Sequence, residues 1–92
     1  MNIRDFEIKI KKYDRNKNHV IVNVLIQGVI EIRGFLCLYT STKYSMSPVW
    51  IVNPPSVRKG KVRYWLFEIK NIDLWHELQN KIVDLVKEYT NT

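Results

Sequence analysis

Residues 54–67 carry four cationic side chains followed by aromatic rings, in the order PPSVRKGKVRYWLF. The cations are Arg58, Lys59, Lys61 and Arg63. If the second half is a strand, then Arg63, Trp65 and Phe67 share one face, because side chains alternate along a strand. Guanidinium groups can bind phosphates while neighbouring rings stack on bases. The segment therefore predicts a nucleic-acid-binding surface, with Trp65 or Tyr64 as the stacking ring.

A second group of cations lies on the first predicted hairpin and comprises Lys9, Lys11, Lys12, Arg15 and Lys17. Charge is uneven along the chain. Residues 1–70 carry 13 Lys and Arg against 5 Asp and Glu, whereas residues 71–92 carry 2 against 4. A basic region of net charge +8 favours an anionic partner. The alternative is that these charges only keep the protein in solution.

The sequence contains few residues whose types and spacing suit a catalytic or metal site. Cys37 lies among apolar residues within a predicted strand, which indicates an inert buried thiol. His76 and Asn80 share a helix face, but no second His or Cys joins them, so no metal site is expected. Residues 53–56, NPPS, lack the aromatic side chain with which adenine methyltransferases stack a flipped base. We therefore expect no catalytic activity, no cofactor and no small-molecule substrate.

The length of 92 residues predicts one small domain, 1–92, with a thin core. With 46% hydrophobic and 26% charged residues, the chain is typical of globular rather than disordered proteins. A single cysteine cannot form an internal disulfide, which suits a reducing cytoplasm. Charges at Arg4, Asp5 and Glu7 interrupt any signal peptide, and no apolar stretch approaches the ~20 residues of a membrane span. We expect a cytoplasmic protein with no membrane partner.

Alternation of apolar and polar residues predicts five strands, at about 3–12, 19–27, 29–40, 49–52 and 61–69. Residues 14–18 form a polar turn, and Gly34 within the third strand indicates a bulge or a close backbone approach. Residues 40–48 are interpreted as a polar connection. The expected architecture is a single antiparallel sheet.

The chain ends in a predicted helix at about 71–89, for which Asn71 or Asp73 can serve as the N-cap. An apolar stripe follows its length: Trp75, Leu78, Ile82, Leu85, Val86 and Tyr89. This stripe predicts that the helix packs on the sheet and gives an α+β fold. Trp75 is accordingly expected to anchor the core rather than to hold a ligand.

The second and third predicted strands are apolar on both faces. Ile21 and Leu25 lie opposite the valines of the second strand, and Leu36 and Leu38 alternate with Phe35 and Cys37 of the third. One helix covers only one face of a sheet, and apolar area of this kind normally meets a partner. We expect a homodimer joined through strands or sheet faces. The alternative is that residues 40–48 fold over the second face.

The order of these elements resembles the SpoVG family of septation and sporulation regulators. The resemblance is carried by residues 3–9 (IRDFEIK), 20–26, 29–33 (VIEIR), 49–59 (which contains PSVRK) and a helix ending near Tyr89. The chain departs from the family at residues 40–47, which look like an insertion, and at 60–64 (GKVRY), which replace an acidic segment. The resemblance implies a small dimeric regulator that binds DNA and RNA without catalytic activity.

Two functions are compatible with the sequence. The first is a nucleic-acid-binding homodimer with weak sequence specificity, because the single helix is acidic and amphipathic and does not suit major-groove recognition. The second is a protein–protein interaction adaptor that uses the apolar sheet face or a strand edge.

Overall fold

The computed structural model describes residues 1–91 and contains a four-stranded antiparallel sheet, a separate two-stranded hairpin and one C-terminal helix. The elements are a short 3-10 helix (Ile3–Asp5), β1 (Phe6–Asp14), β2 (His19–Ile26), β3 (Ile30–Thr42), β4 (Ser45–Asn53), β5 (Ser56–Lys59), β6 (Val62–Trp65) and α1 (Ile72–Thr90). The larger sheet has the order β1-β2-β3-β4, so β1 and β4 are its edges. The predicted α+β class is confirmed.

The prediction of one five-stranded sheet is wrong. The predicted strand 61–69 shrinks to β6, which pairs with the unpredicted β5 instead of with the main sheet. Pro54 and Pro55 separate β5 from β4 because proline has no N–H to donate to a strand ladder. Gly60 makes the tight turn between β5 and β6 at φ 61°. The backbone N–H of Leu66 donates to the Pro55 carbonyl over 2.8 Å and closes the hairpin at its base.

Two other strand boundaries also differ from the prediction. The chain before Phe6 is a 3-10 turn capped by the Asn2 side chain, because that amide accepts the Arg4 N–H. Residues 40–48 are not a loop: β3 and β4 extend through them to a tight turn at Lys43 and Tyr44. This segment therefore does not cover the second face of the sheet.

Helix α1 begins after Asn71, whose side-chain oxygen accepts the Leu74 N–H over 3.1 Å. Asn71, rather than Asp73, is thus the N-cap. Of the predicted apolar stripe, Leu78, Ile82 and Val86 are fully buried against the sheet, whereas Trp75 and Leu85 are half-buried and Tyr89 is exposed. The Lys81 ammonium donates to the Phe6 carbonyl and so ties the helix to the start of β1.

The core lies between α1 and one face of the sheet. Strand β2 is central, and its buried side chains Val20, Val22, Val24 and Ile26 meet Phe35 and Cys37 of β3 and Val52 of β4. Each such side chain contributes roughly 1.5–3 kcal/mol on burial. The opposite side of the sheet, here called the open face, carries the half-buried residues Ile21, Leu25, Leu36, Leu38 and Ile51.

A β-bulge at Gly34 changes which residues of β3 face the helix. Val24 pairs with Ile32, but Val22 pairs with Phe35, so one extra residue lies between them on β3. The bulge shifts the alternation by one residue, and both Ile32 and Phe35 therefore face the helix. Gly34 adopts φ 93°, and its N–H donates to the side chain of the buried Asn23 over 3.2 Å.

We expect Gly34→Ala to lower the free energy of unfolding by about 1–2 kcal/mol, because a side chain at positive φ is strained. The space around Gly34 is open, so the effect comes from the backbone and not from a clash. Urea denaturation followed by tryptophan fluorescence measures the difference. Gly28→Asn is the control, since Gly28 has φ 69° in a turn and Asn tolerates that conformation. Equal losses in the two variants would contradict a special role for the bulge.

Candidate nucleic-acid interface

The hairpin formed by residues 56–65, called the basic hairpin, projects from the body of the protein. Every residue from 57 to 66 is exposed. Arg58 and Arg63 are cross-strand partners and share one face with Trp65, whose partner is Ser56. The Arg63 guanidinium carbon lies 5.9 Å from the centre of the Trp65 ring, and Trp65 is 53% exposed. Cation and ring are therefore adjacent and accessible.

The other face of the basic hairpin carries Lys59 and Tyr64 with two valines. Tyr64 is 50% exposed, and Lys61 lies in the turn. The structure therefore separates the two predicted stacking rings, with Trp65 beside the arginines and Tyr64 beside a lysine. Each face offers one ring together with positive charge.

The four cations of the basic hairpin are available for an external anion. In the part of the chain that the structure describes, the salt bridges join Arg33 to Glu31 and Lys70 to Glu68, and none involves the hairpin. Four positive charges thus lie within a few residues of one another without neutralising carboxylates. Such a cluster attracts a polyanion over roughly the Debye length of 8–10 Å.

Phe67 does not lie on the hairpin face where the alternation predicts it. The strand ends at Trp65, and the Phe67 ring packs edge-on against the buried Phe35 ring at a centroid distance of 5.3 Å. The apolar ring reaches the core because the chain leaves the strand after Trp65. Phe67 therefore attaches the base of the basic hairpin to the core and is not part of the exposed surface.

The second predicted cluster is exposed along the opposite edge of the sheet and comprises Lys9, Lys11, Lys12, Arg15 and Lys17. The Arg15 guanidinium carbon lies 5.9 Å from the centre of the Tyr13 ring, which in turn packs edge-on against Tyr89. The Asp14 carboxylate accepts the N–H groups of Asn16 and Lys17 and shapes the turn. Within one chain this cluster is separate from the basic hairpin, because β1 and β4 are opposite edges.

A pocket that sequence reasoning missed lies between the basic hairpin and α1. This aromatic pocket has a volume of about 310 Å³ and is lined by Val52, Asn53, Pro54, Trp65, Phe67, Glu68, Ile69, Trp75 and Gln79. Trp75 packs against the core, as the stripe predicts, but it also lines the pocket. No local pattern signals this site, because it joins β4, the hairpin and α1 in space.

The single cysteine is buried, and the potential metal ligands of residues 1–91 do not cluster. Burial raises the pKa of the Cys37 thiol to about 12, so little of the nucleophilic thiolate exists near neutral pH. Among residues 1–91, no three His, Cys, Asp or Glu side chains come together where they could hold a metal ion. Over the same residues, no helix combines the length and apolar character needed to cross a membrane.

No protein-family model, curated protein or solved structure matches this chain. The resemblance to the SpoVG family therefore stays a prediction, and the function of the surface is inferred from its own side chains.

Proposed function

We propose that this protein binds nucleic acid, DNA or RNA, through the basic hairpin and acts without catalysis as a homodimeric regulator. The observation that carries the proposal is a projecting hairpin with four exposed cations, none of them in a salt bridge within residues 1–91, and an exposed tryptophan beside one of them. Phosphate contacts from the cations supply most of the affinity. Stacking by Trp65 or Tyr64 favours single strands, whose bases are accessible.

Weak sequence specificity follows from the helix. The exposed side of α1 carries Asp73, Glu77, Asp84 and Glu88, and such a face repels the phosphates that flank a DNA groove. Recognition of base edges by a helix in the major groove is therefore disfavoured. The single buried cysteine is compatible with a cytoplasmic protein.

Fluorescence-anisotropy titrations at two salt concentrations test the proposal. Labelled single-stranded and duplex oligonucleotides, of DNA and of RNA, are each titrated with the full chain. Binding should tighten as salt falls, with a log–log slope of about 0.7 per phosphate contact for single strands and about 0.9 for duplex DNA. Absence of binding at low salt would refute the proposal.

The homodimer is supported by the open face. Leu36 lies beside Ile21 and Leu38 beside Ile51 on this face, and all four apolar side chains are half-buried in the single chain. Burial of such a patch in a second copy removes apolar surface from water. Two copies also place two basic hairpins on one particle, which raises the effective concentration of the second hairpin once the first is bound.

We expect light scattering to give twice the chain mass of 11.1 kDa for the wild-type protein. Leu38→Glu should shift the mass to that of one chain, because a buried unpaired carboxylate opposes association. Ile72→Glu is the matched control, since Ile72 is 64% exposed at the start of α1. Circular dichroism verifies that both variants fold. A dimeric Leu38→Glu variant would exclude the open face and leave the strand edges as the interface.

The open face also supports a second function, a protein–protein interaction adaptor. In that case the face binds a different protein, and the chain alone is a monomer that does not bind oligonucleotides at low salt. The same titrations and mass measurements therefore distinguish the two functions.

A further inference from the structure

The aromatic pocket combines apolar walls with flat rings. Trp65, Phe67 and Trp75 contribute the rings, and Val52 and Pro54 contribute aliphatic surface. A volume of about 310 Å³ lies at the lower end of the range for small-ligand sites. Its size and walls suit one planar heterocycle.

Amide groups give the pocket a polar edge. Asn53 and Gln79 line it, and both are half-buried. Each amide offers both donors and an acceptor, which match the edge of a nucleobase. The Glu68 carboxylate at the same pocket is 3.2 Å from the Lys70 ammonium, which offsets its charge toward a polyanion.

Trp65 belongs to both the pocket and the basic hairpin. It lines the pocket and lies beside Arg63, which pairs across the hairpin with Arg58. A nucleotide whose phosphate contacts these arginines is thus positioned to direct its base toward the pocket.

We propose that the aromatic pocket receives one unpaired base of a nucleic acid strand held by the basic hairpin. This inference rests on the proposed function and specifies which part of the strand is recognised, namely an unpaired base. Bases of a duplex are paired and stacked, and one must be extruded before it can enter such a site. The pocket therefore predicts a preference for single strands that charge alone does not give.

Oligonucleotides with and without bases distinguish base binding in the pocket from phosphate binding by the cations. The full chain is titrated at low salt with a labelled single strand of about ten nucleotides and with an abasic strand of the same length and phosphate charge. The wild-type protein should bind the abasic strand roughly 10- to 100-fold more weakly, since base stacking on aromatic side chains is lost. Tryptophan fluorescence should be quenched only by the strand that carries bases.

Four variants test which residues are responsible for the preference for strands that carry bases. Trp65→Ala should bind both strands with similar affinity, whereas Tyr44→Ala, in the exposed turn between β3 and β4, should retain the preference for bases. Gln79→Leu should weaken binding of the base-containing strand roughly 3- to 10-fold, with the exposed neighbour Asn80→Leu as its control. Gln79 is the informative position because it lies on α1, outside the hairpin.

The results that would refute base binding in the pocket differ from those that would refute nucleic-acid binding. Equal affinity of the wild-type protein for the two strands would overturn the pocket while leaving phosphate binding intact. A persistent preference for bases in Trp65→Ala, or wild-type affinity in Gln79→Leu, would also overturn it, because the bases would then be bound outside the pocket. Absence of binding to either strand would refute both the proposed function and the role of the pocket.

Discussion

Replacing Arg58, Lys59 and Arg63 together by alanine is expected to lower the affinity for a single-stranded oligonucleotide on the order of 100-fold at low salt. The three side chains are exposed and form no salt bridge within residues 1–91, so their removal should leave the fold intact. The log–log salt slope should fall by about 2 for single strands and about 2.7 for duplex DNA. Anisotropy titrations across a salt series measure both quantities.

A control variant with the same change in net charge separates position from total charge. Arg4, Lys43 and Lys87 are exposed and lie outside the basic hairpin, and their replacement by alanine also removes three positive charges. We expect this variant to retain most of the affinity and the wild-type salt slope. If both triple variants weaken binding equally, the hairpin has no special role and the proposed interface is wrong.

The strands of the main sheet were predictable because their alternation is strong, but the pairing of the fifth was not. Residues 61–69 have the apolar spacing of a sheet strand. Nothing local shows that the N–H of Leu66 is satisfied by Pro55 or that the chain then turns Phe67 into the core. Residues 56–59, by contrast, are a strand only because 62–65 pair with them, since SVRK has no apolar alternation of its own.

Residues 45–48 belong to the segment 40–48 that the sequence predicts to be a polar connection, and they include Pro48. They are nevertheless part of β4, which is an edge strand, and an edge strand tolerates proline where its missing N–H would face solvent. Tertiary position thus overrides local propensity here. Bulges act similarly, since the extra residues at Lys11 and Gly34 shift the alternation and conceal which face is the core.

The exposed part of the candidate site was predictable and the enclosed part was not. Basic residues seldom lie fully buried, so Arg58 and Arg63 predict a solvent-facing strand and, with it, an accessible Trp65. The aromatic pocket depends on Trp75 of α1 approaching Pro54 and Trp65. Those residues come from different segments of the chain. The helical stripe assigns Trp75 to the core and does not indicate that part of its side chain also lines a pocket.

Contact between the Phe35 and Phe67 rings attaches the base of the basic hairpin to the core. Phe35 is fully buried beside Phe67, and Phe35→Ala should lower the free energy of unfolding by about 3–5 kcal/mol. A domain of this length has a total free energy of unfolding of roughly 5–14 kcal/mol. The variant therefore loses a large part of its stability. Urea denaturation followed by circular dichroism measures the loss.

Phe67→Ala provides the comparison that connects stability with function. Phe67 is only half-buried, so its removal should cost about half as much, and the double variant should reveal a coupling of about 0.5–1.5 kcal/mol for the ring pair. Without this ring the main sheet persists, but the hairpin loses its anchor and must be ordered when a strand binds, which lowers affinity. Additive losses in the double variant, with unchanged oligonucleotide affinity in Phe67→Ala, would show that the hairpin is positioned by other contacts.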